Sequence, residues 1–210
     1  MSNNAINNEF RGTGTEDAFL RWINASQTMS MGEDTDDSNA LKITDSTDPS
    51  SGNTLWKMTT AGERTMPRQP AFRAYAAAQA NVTGNSALYT VLFSTEEYDQ
   101  LPGHFVNPTF TAPVDGIYLF DISIGFTGIT TCNNLAAFYL YNGAANKVIW
   151  QMNPAGIHVT GNIIVSGSLE LQMLATETMV VQVQGSGQGA NTVGIVAGPD
   201  RSWFSGRLVT

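Results

Sequence analysis

One cysteine, two histidines and ten basic residues in 210 positions leave this chain short of several common chemistries. Cys132 has no second cysteine to pair with, so a disulfide scaffold is excluded and burial must hold the core. Ten Lys and Arg against eighteen Asp and Glu give a net charge of −8, too little positive charge for binding that runs on phosphate neutralisation. Nucleic acid is therefore not an expected partner. Charged residues make up 13% of the chain, and helical proteins expose more Glu, Lys and Arg than that, which excludes an all-α fold. The sequence has no run of eighteen apolar residues, and Met1-Ser2-Asn3-Asn4-Ala5 carries neither a basic nor an apolar leader pattern. Neither membrane insertion nor export is expected, and assembly in a reducing cytosol is.

The chain does contain 42% hydrophobic residues and twenty glycines, enough for one large core built of short strands and turns. Residues 1–65 hold ten acids and five bases, and the run from Asp45 to Asn53 is almost wholly Asp, Ser, Thr, Pro, Gly and Asn. Such a segment buries too little to fold unaided and needs partner chains or a docking surface. Within it, Thr13 and Glu16 stand at capping-box spacing, and Phe19, Trp22 and Ile23 follow at i, i+3 and i+4. This predicts a short helix at about 15–25, whose exposed Phe19, Leu20, Trp22 and Ile23 form an anchor or interchain contact. Met29–Gly32, Ala40–Thr44 and Thr54–Thr59 are predicted strands, with Trp56 a further interchain candidate.

From Pro70 the pattern becomes dense alternation. Between Gly116 and Gly128, Tyr118, Phe120, Ile122, Ile124 and Phe126 share one face of a strand. Further strands are predicted at Phe72–Ala77, Leu88–Ser94, Thr109–Thr111, Leu135–Tyr141, Lys147–Met152, Gly161–Val165, Leu169–Leu174, Met179–Gln184 and Trp203–Val209. About ten strands without intervening helices predict an all-β antiparallel jelly-roll sandwich.

The spacing of Phe93, Asp99, Phe105, Phe110, Gly116, Tyr118 and Phe120, with the block Thr109–Tyr118 and the closing run Ser202–Leu208 that carries Phe204 and Gly206, resembles the C1q/TNF-like globular head over residues 70–210. Met58–Phe72 is similar to junctions that feed such heads in phage fibres, and Ser30–Ile43 to shaft segments of phage tail-associated proteins. Without a Gly-X-Y repeat there is no collagen stalk. The resemblance implies a homotrimer divided into an anchor at 1–30, a shaft at 31–69 and a head at 70–210. The aromatic residues are read as core, and Gly116 as a position that needs a turn conformation.

No enzyme motif is present. His104 and His158 have no Asp or Ser at a catalytic spacing, and Cys132 has no basic neighbour in sequence to activate it. Glu33, Asp34, Asp36 and Asp37 lack the glycine and distal Glu of a calcium loop and read as a solvated turn. No cofactor is expected beyond calcium, which the resemblance leaves possible because some C1q-like heads bind it, while assigning no carboxylate here, Glu96, Glu97 and Asp99 included. Gly185–Gly189 has no following Lys and reads as a turn, not a phosphate loop. The Asn- and Thr-rich loops 127–134, 142–146, 153–160 and 185–198 offer hydrogen bonds suited to glycans.

The expected function is that of a phage virion structural protein: a trimeric short fibre or appendage, held to other virion proteins by its N-terminus, with the head contacting the host surface. The alternatives are a capsid-decorating protein without a receptor role and a bacterial C1q-like lectin. A glycan depolymerase ranks third.

Overall fold

Alternating apolar residues between turn-forming runs build strands throughout the computed structural model, which describes residues 17–155 and 161–210. The chain divides into two units, residues 1–69 and 70–210, each described by itself below.

The first unit is a meander of five antiparallel strands: β1 (Phe19–Ile23), β2 (Thr28–Asp34), β3 (Ala40–Thr44), β4 (Thr54–Met58) and β5 (Arg64–Thr65). The helix predicted at about 15–25 is overturned over its described part. Residues 19–23 are extended and pair with β2, Leu20 opposite Met31 and Trp22 opposite Met29. A five-residue apolar run fits either period, and pairing along a whole neighbouring strand satisfies more backbone groups than one isolated helical turn. Strand β2 runs through residue 30 without interruption.

Thirteen strands follow in the second unit, among the described residues: β6 (Ala71–Tyr75), β7 (Gln79–Thr83), β8 (Leu88–Thr90), β9 (Thr95–Asp99), β10 (Phe105–Val106), β11 (Thr109–Thr111), β12 (Gly116–Thr127), β13 (Leu135–Tyr141), β14 (Asn146–Met152), β15 (Ile163–Met173), β16 (Thr178–Ser186), β17 (Val193–Ile195) and β18 (Trp203–Leu208). One sheet has the order β7-β17-β12-β18-β6-β9, with β15 along the other edge of β12; the second has the order β10-β11-β16-β13-β14, with β8 on β16. Successive strands cross repeatedly between the sheets, among other places at β11 to β12, β12 to β13, β14 to β15, β15 to β16 and β16 to β17, which is jelly-roll winding. The all-β jelly-roll prediction therefore holds for this unit.

The predicted strands at Gly161–Val165 and Leu169–Leu174 are one strand, β15, paired with β12 from Phe126↔Ile163 to Gly116↔Met173. Ser166-Gly167-Ser168 resembles a turn by composition, yet Gly167 is a packing position. A Cβ there would lie 2.5 Å from Ile149 Cγ2, so the missing side chain admits Ile149 to the interior.

The core lies between the two sheets. Tyr118, Phe120, Ile122, Ile124 and Phe126 are fully buried along β12, facing Phe138, Leu140, Val181 and Val183 of the other sheet.

Candidate functional site

Three places concentrate side chains singled out from the sequence: the aromatic interior of the head, the loops at one end of it, and one face of the N-terminal sheet.

In the head, Phe72 of β6 stacks on Phe105 and Phe110, with ring centroids 4.8 Å away in each case, and meets Phe204 edge-on at 4.9 Å. Phe93 and Phe120 each lie 5.7 Å from Phe204. Tyr118 packs on Phe110 and donates its hydroxyl proton to the Val114 carbonyl at 2.9 Å; burial raises its pKa. Phe72 is central to this cluster and stood outside the aromatic spacing read from the sequence, because its place is set by β6 pairing with β18, Phe72 opposite Gly206. Gly206 lies between two rings: a Cβ there would be 2.6 Å from Phe72 and 2.7 Å from Phe120.

Asp99 is not a core residue. Its Oδ2 accepts hydrogen bonds from the backbone N–H groups of His104 and Phe105, at 3.1 and 3.0 Å, and so fixes the loop that delivers Phe105 to the interior. Gly116 has an ordinary backbone conformation, and the turn explanation is corrected. A Cβ would lie 2.7 Å from the Thr210 carbonyl oxygen and 2.5 Å from Leu208 Cδ1, so glycine is required by the close pass of the chain's last residues.

Strand direction sorts the candidate loops. Leu135 pairs with Ser186 and Ala136 with Met152, which brings the loops after β12, β14 and β16 to one end. The 142–146 turn lies at the other end, where Tyr141 pairs with Asn146. The described part of the first end is tightly tied. Asn133 is fully buried and its Oδ1 accepts from Thr130 N at 2.9 Å, while its Nδ2 donates to the Ser186 carbonyl at 3.2 Å. Gln188 donates from its side chain to Thr130 Oγ1 at 3.0 Å and from its backbone to the Gly84 carbonyl at 2.9 Å. Gly187 adopts φ +101°, and a Cβ would press on the Cys132 carbonyl oxygen. Gly185–Gly189 is thus a strand end and turn. Cys132 is a free, exposed thiol on this surface. His158 lies outside the described residues. His104 contributes its backbone, its carbonyl accepting from Thr111 N at 2.7 Å.

The N-terminal sheet has the reverse of ordinary amphipathicity. Register places Leu20, Met31, Ile43 and Trp56 opposite one another across β1 to β4, flanked on one side by the row of Trp22 and Met29 and on the other by the row of Glu33, Leu41, Met58 and Arg64. On that apolar face Trp22 is 42% exposed, and Met29 and Met31 are each 38% exposed. The polar face is the covered one: Ser30 and Thr44 are buried and share a hydrogen bond of 2.8 Å, and Thr44 also donates to the Asp48 carbonyl of the loop folded over it. Phe19 turns to the polar side, into space that a side chain at Gly32 would fill. Ile23 is exposed at the end of β1.

The acidic run is a solvated turn only in part: Glu33 and Asp36 are exposed, but Asp34 and Asp37 are engaged. Asp34 is 2% exposed and accepts from the backbone of Asp36 and Asp37, capping a 3-10 turn at Thr35–Asp37, and also from the Lys42 ammonium at 2.5 Å. Lys42 and Lys57 stand opposite each other on β3 and β4, and both lie 2.7 Å from Asp37 Oδ2. Cross-strand pairing of two like charges makes a bridging carboxylate favourable there, a relation invisible along the sequence.

Among the described residues no three His, Cys, Asp or Glu side chains converge as a metal would need. Glu97 lies 3.0 Å from Arg73 Nε without the alignment of a hydrogen bond, and Asp99 is committed to its loop. No helix among these residues is long and apolar enough to cross a membrane.

Strand order and covalent path define an all-β chain with a jelly-roll head. No family model and no curated protein matches it. Among solved structures, the globular domain of zebrafish complement 1qA protein is similar at 15% identity and a TM-score of 0.47, covering 68% of this chain and 98% of that one. Murine APRIL at pH 8.5 is similar at 6% identity and a TM-score of 0.47, covering 68% of this chain and all of that one. The fold assignment rests on strand order and register rather than on these likenesses.

Proposed function

We propose that this chain is a structural protein of a phage virion, a homotrimeric short fibre or appendage held to other virion proteins by its N-terminal part and displaying the jelly-roll head to the host surface. The observation that carries this reading is the contrast between the two units. The head closes its own core, whereas the N-terminal sheet buries polar groups and leaves its apolar face half-covered, with Trp22, Met29 and Met31 exposed, so one copy leaves the arm incomplete. Ile117 and Val209, also exposed, lie together on the head where β12 meets the chain's end, a surface that other heads could cover. The tied loop end, with Thr130 and Gln188 held in place, supports a polar ligand of the glycan class; three such ends on one particle would bind through avidity.

Light scattering on the purified full chain tests the assembly: a trimer is expected, and a monomer at micromolar concentration rejects the reading. Purified protein is expected to bind host cells and block infection. Virions that carry the chain, combined with no binding and no blocking, would indicate a capsid-decorating role, while absence from virions with binding on a glycan array would indicate a bacterial lectin.

A further inference from the structure

We infer that the apolar face of the N-terminal sheet, centred on the ladder Leu20–Met31–Ile43–Trp56, is where three copies of this chain meet, each sheet turned with that face toward a common axis parallel to its strands. This rests on the trimeric reading above and names the surface that performs it. The first argument is inverted burial. The chain's own loop folds onto the polar face at Thr44, which is bonded to Asp48, and Pro49 of that loop is buried, so its covering is spent on the side that needs it least. The opposite face presents Trp22, Met29, Met31, Leu41, Ile43, Trp56 and Met58 without a second layer among the described strands. A one-layer sheet with an apolar side is stable in water only when another layer covers that side.

Charge placement argues that the cover is a second copy in a cyclic arrangement. Glu33 on β2 and Arg64 on β5 occupy one cross-strand row, on the apolar side and toward opposite edges of the sheet, and both are exposed. Rotation about an axis along the strands brings the β5 edge of one copy beside the β1–β2 edge of the next at the same height. Arg64 then approaches Glu33 of the neighbour, and the uncharged ladder remains inside. Rotation about an axis across the strands would instead bring like edges together. The face is small: four strand spacings by roughly 15 Å of strand length give about 300 Å² per chain, against about 800 Å² per partner in a stable interface. It therefore associates in company with the heads, whose own contacts raise the effective concentration of the arms.

The test uses the full chain with Cys132→Ser and a single new cysteine, Met31→Cys on the apolar face or Thr47→Cys on the loop over the polar face, treated with a short bis-maleimide. Pairs from position 31 are expected in roughly tenfold or greater excess over position 47, because neighbouring faces sit at about millimolar effective concentration. Hydroxyl-radical oxidation of the unmodified protein gives a second reading that needs no variant. Met29 and Met31 should oxidise several-fold more slowly than Met66, which is 54% exposed. A trimer in which Met29 and Met31 oxidise as fast as Met66, or in which position 31 cross-links no better than position 47, overturns this inference and leaves the trimer standing. A monomeric full chain overturns both.

Discussion

At Gly206 the rings of Phe72 and Phe120 close on a backbone that has no room for one more carbon. Gly206→Ala should destabilise the head by about 1–3 kcal/mol, the usual cost of overpacking a filled core. Gly189→Ala, with nothing within 4 Å of the added carbon, should be near neutral. Denaturant unfolding of both variants measures the difference, and equal midpoints would contradict the packing account. A second residue-scale prediction concerns Lys42, whose removal strands the buried Asp34 carboxylate. Lys42→Met should cost about 3–5 kcal/mol, as breaking a buried pair does, and Asp34→Leu combined with Lys42→Met should recover much of the loss. The same measurement decides it: a double variant no better than the single would mean that packing, and not the stranded charge, sets the cost.

Among the elements, the N-terminal sheet carries three carboxylates, Asp37, Asp45 and Asp48, that its hydrogen bonds hold below their ordinary values. Hydrogen bonds from Lys42 and Lys57 hold Asp37 below its ordinary 3.8, and those from Asn53 do so for Asp45. Burial pushes Asp48 upward, but the hydroxyls of Ser50, Ser51 and Thr47 outweigh it and the net direction is down. A carboxyl lowered by folding stabilises the fold above its unfolded value and gives that up as protons bind, so the sheet should loosen as pH falls below 3.8 through the folded values. At the alkaline end, burial opposes the Lys42 charge, yet bonds to Asp34 and Asp37 raise its pKa above 10.5. That contribution is complete below 10.5 and is lost as pH rises through the folded value. Hydrogen exchange of residues 40–58, corrected for intrinsic rate and compared with residues 118–126, should show arm protection falling first in acid. Simultaneous loss in both would refute a separate acid-labile sheet.

On the scale of the whole molecule, the two units differ in self-sufficiency. Residues 70–210 contain the entire aromatic cluster and both layers around it. A chain lacking residues 1–65 should therefore remain folded, with a cooperative thermal transition and intact near-ultraviolet aromatic signals. It is expected to stay trimeric if the heads hold the assembly, yet to fail to join virions. An unfolded or molten product would show that the head needs the arm, and monomeric heads would place the trimer contacts in the arm.

Much of this was written along the chain. Alternation along Gly116–Phe126 specifies β12 because side chains two apart share a face, and large aromatics on that face require an opposing layer. Leu135–Tyr141 and Ala40–Thr44 are legible for the same reason. Other features were settled by neighbours in space. Gln79–Thr83, Thr95–Asp99 and Val193–Ile195 are polar or short and become strands because β17, β6, and β7 with β12, respectively, supply hydrogen-bond partners. Phe19–Ile23 is a strand because β2 lies beside it, and Gly167 lies within a strand because Ile149 fills its space. Asp99 gains its role from the loop it closes, and Asp34 from a lysine eight residues on. Composition and periodicity determined that the chain is all-β, acidic and built around an aromatic core, because each depends only on residue type and local spacing. Register decided which side of the N-terminal sheet is the apolar one, because the pairing of β1 to β4 alone sets Leu20, Met31, Ile43 and Trp56 in one row.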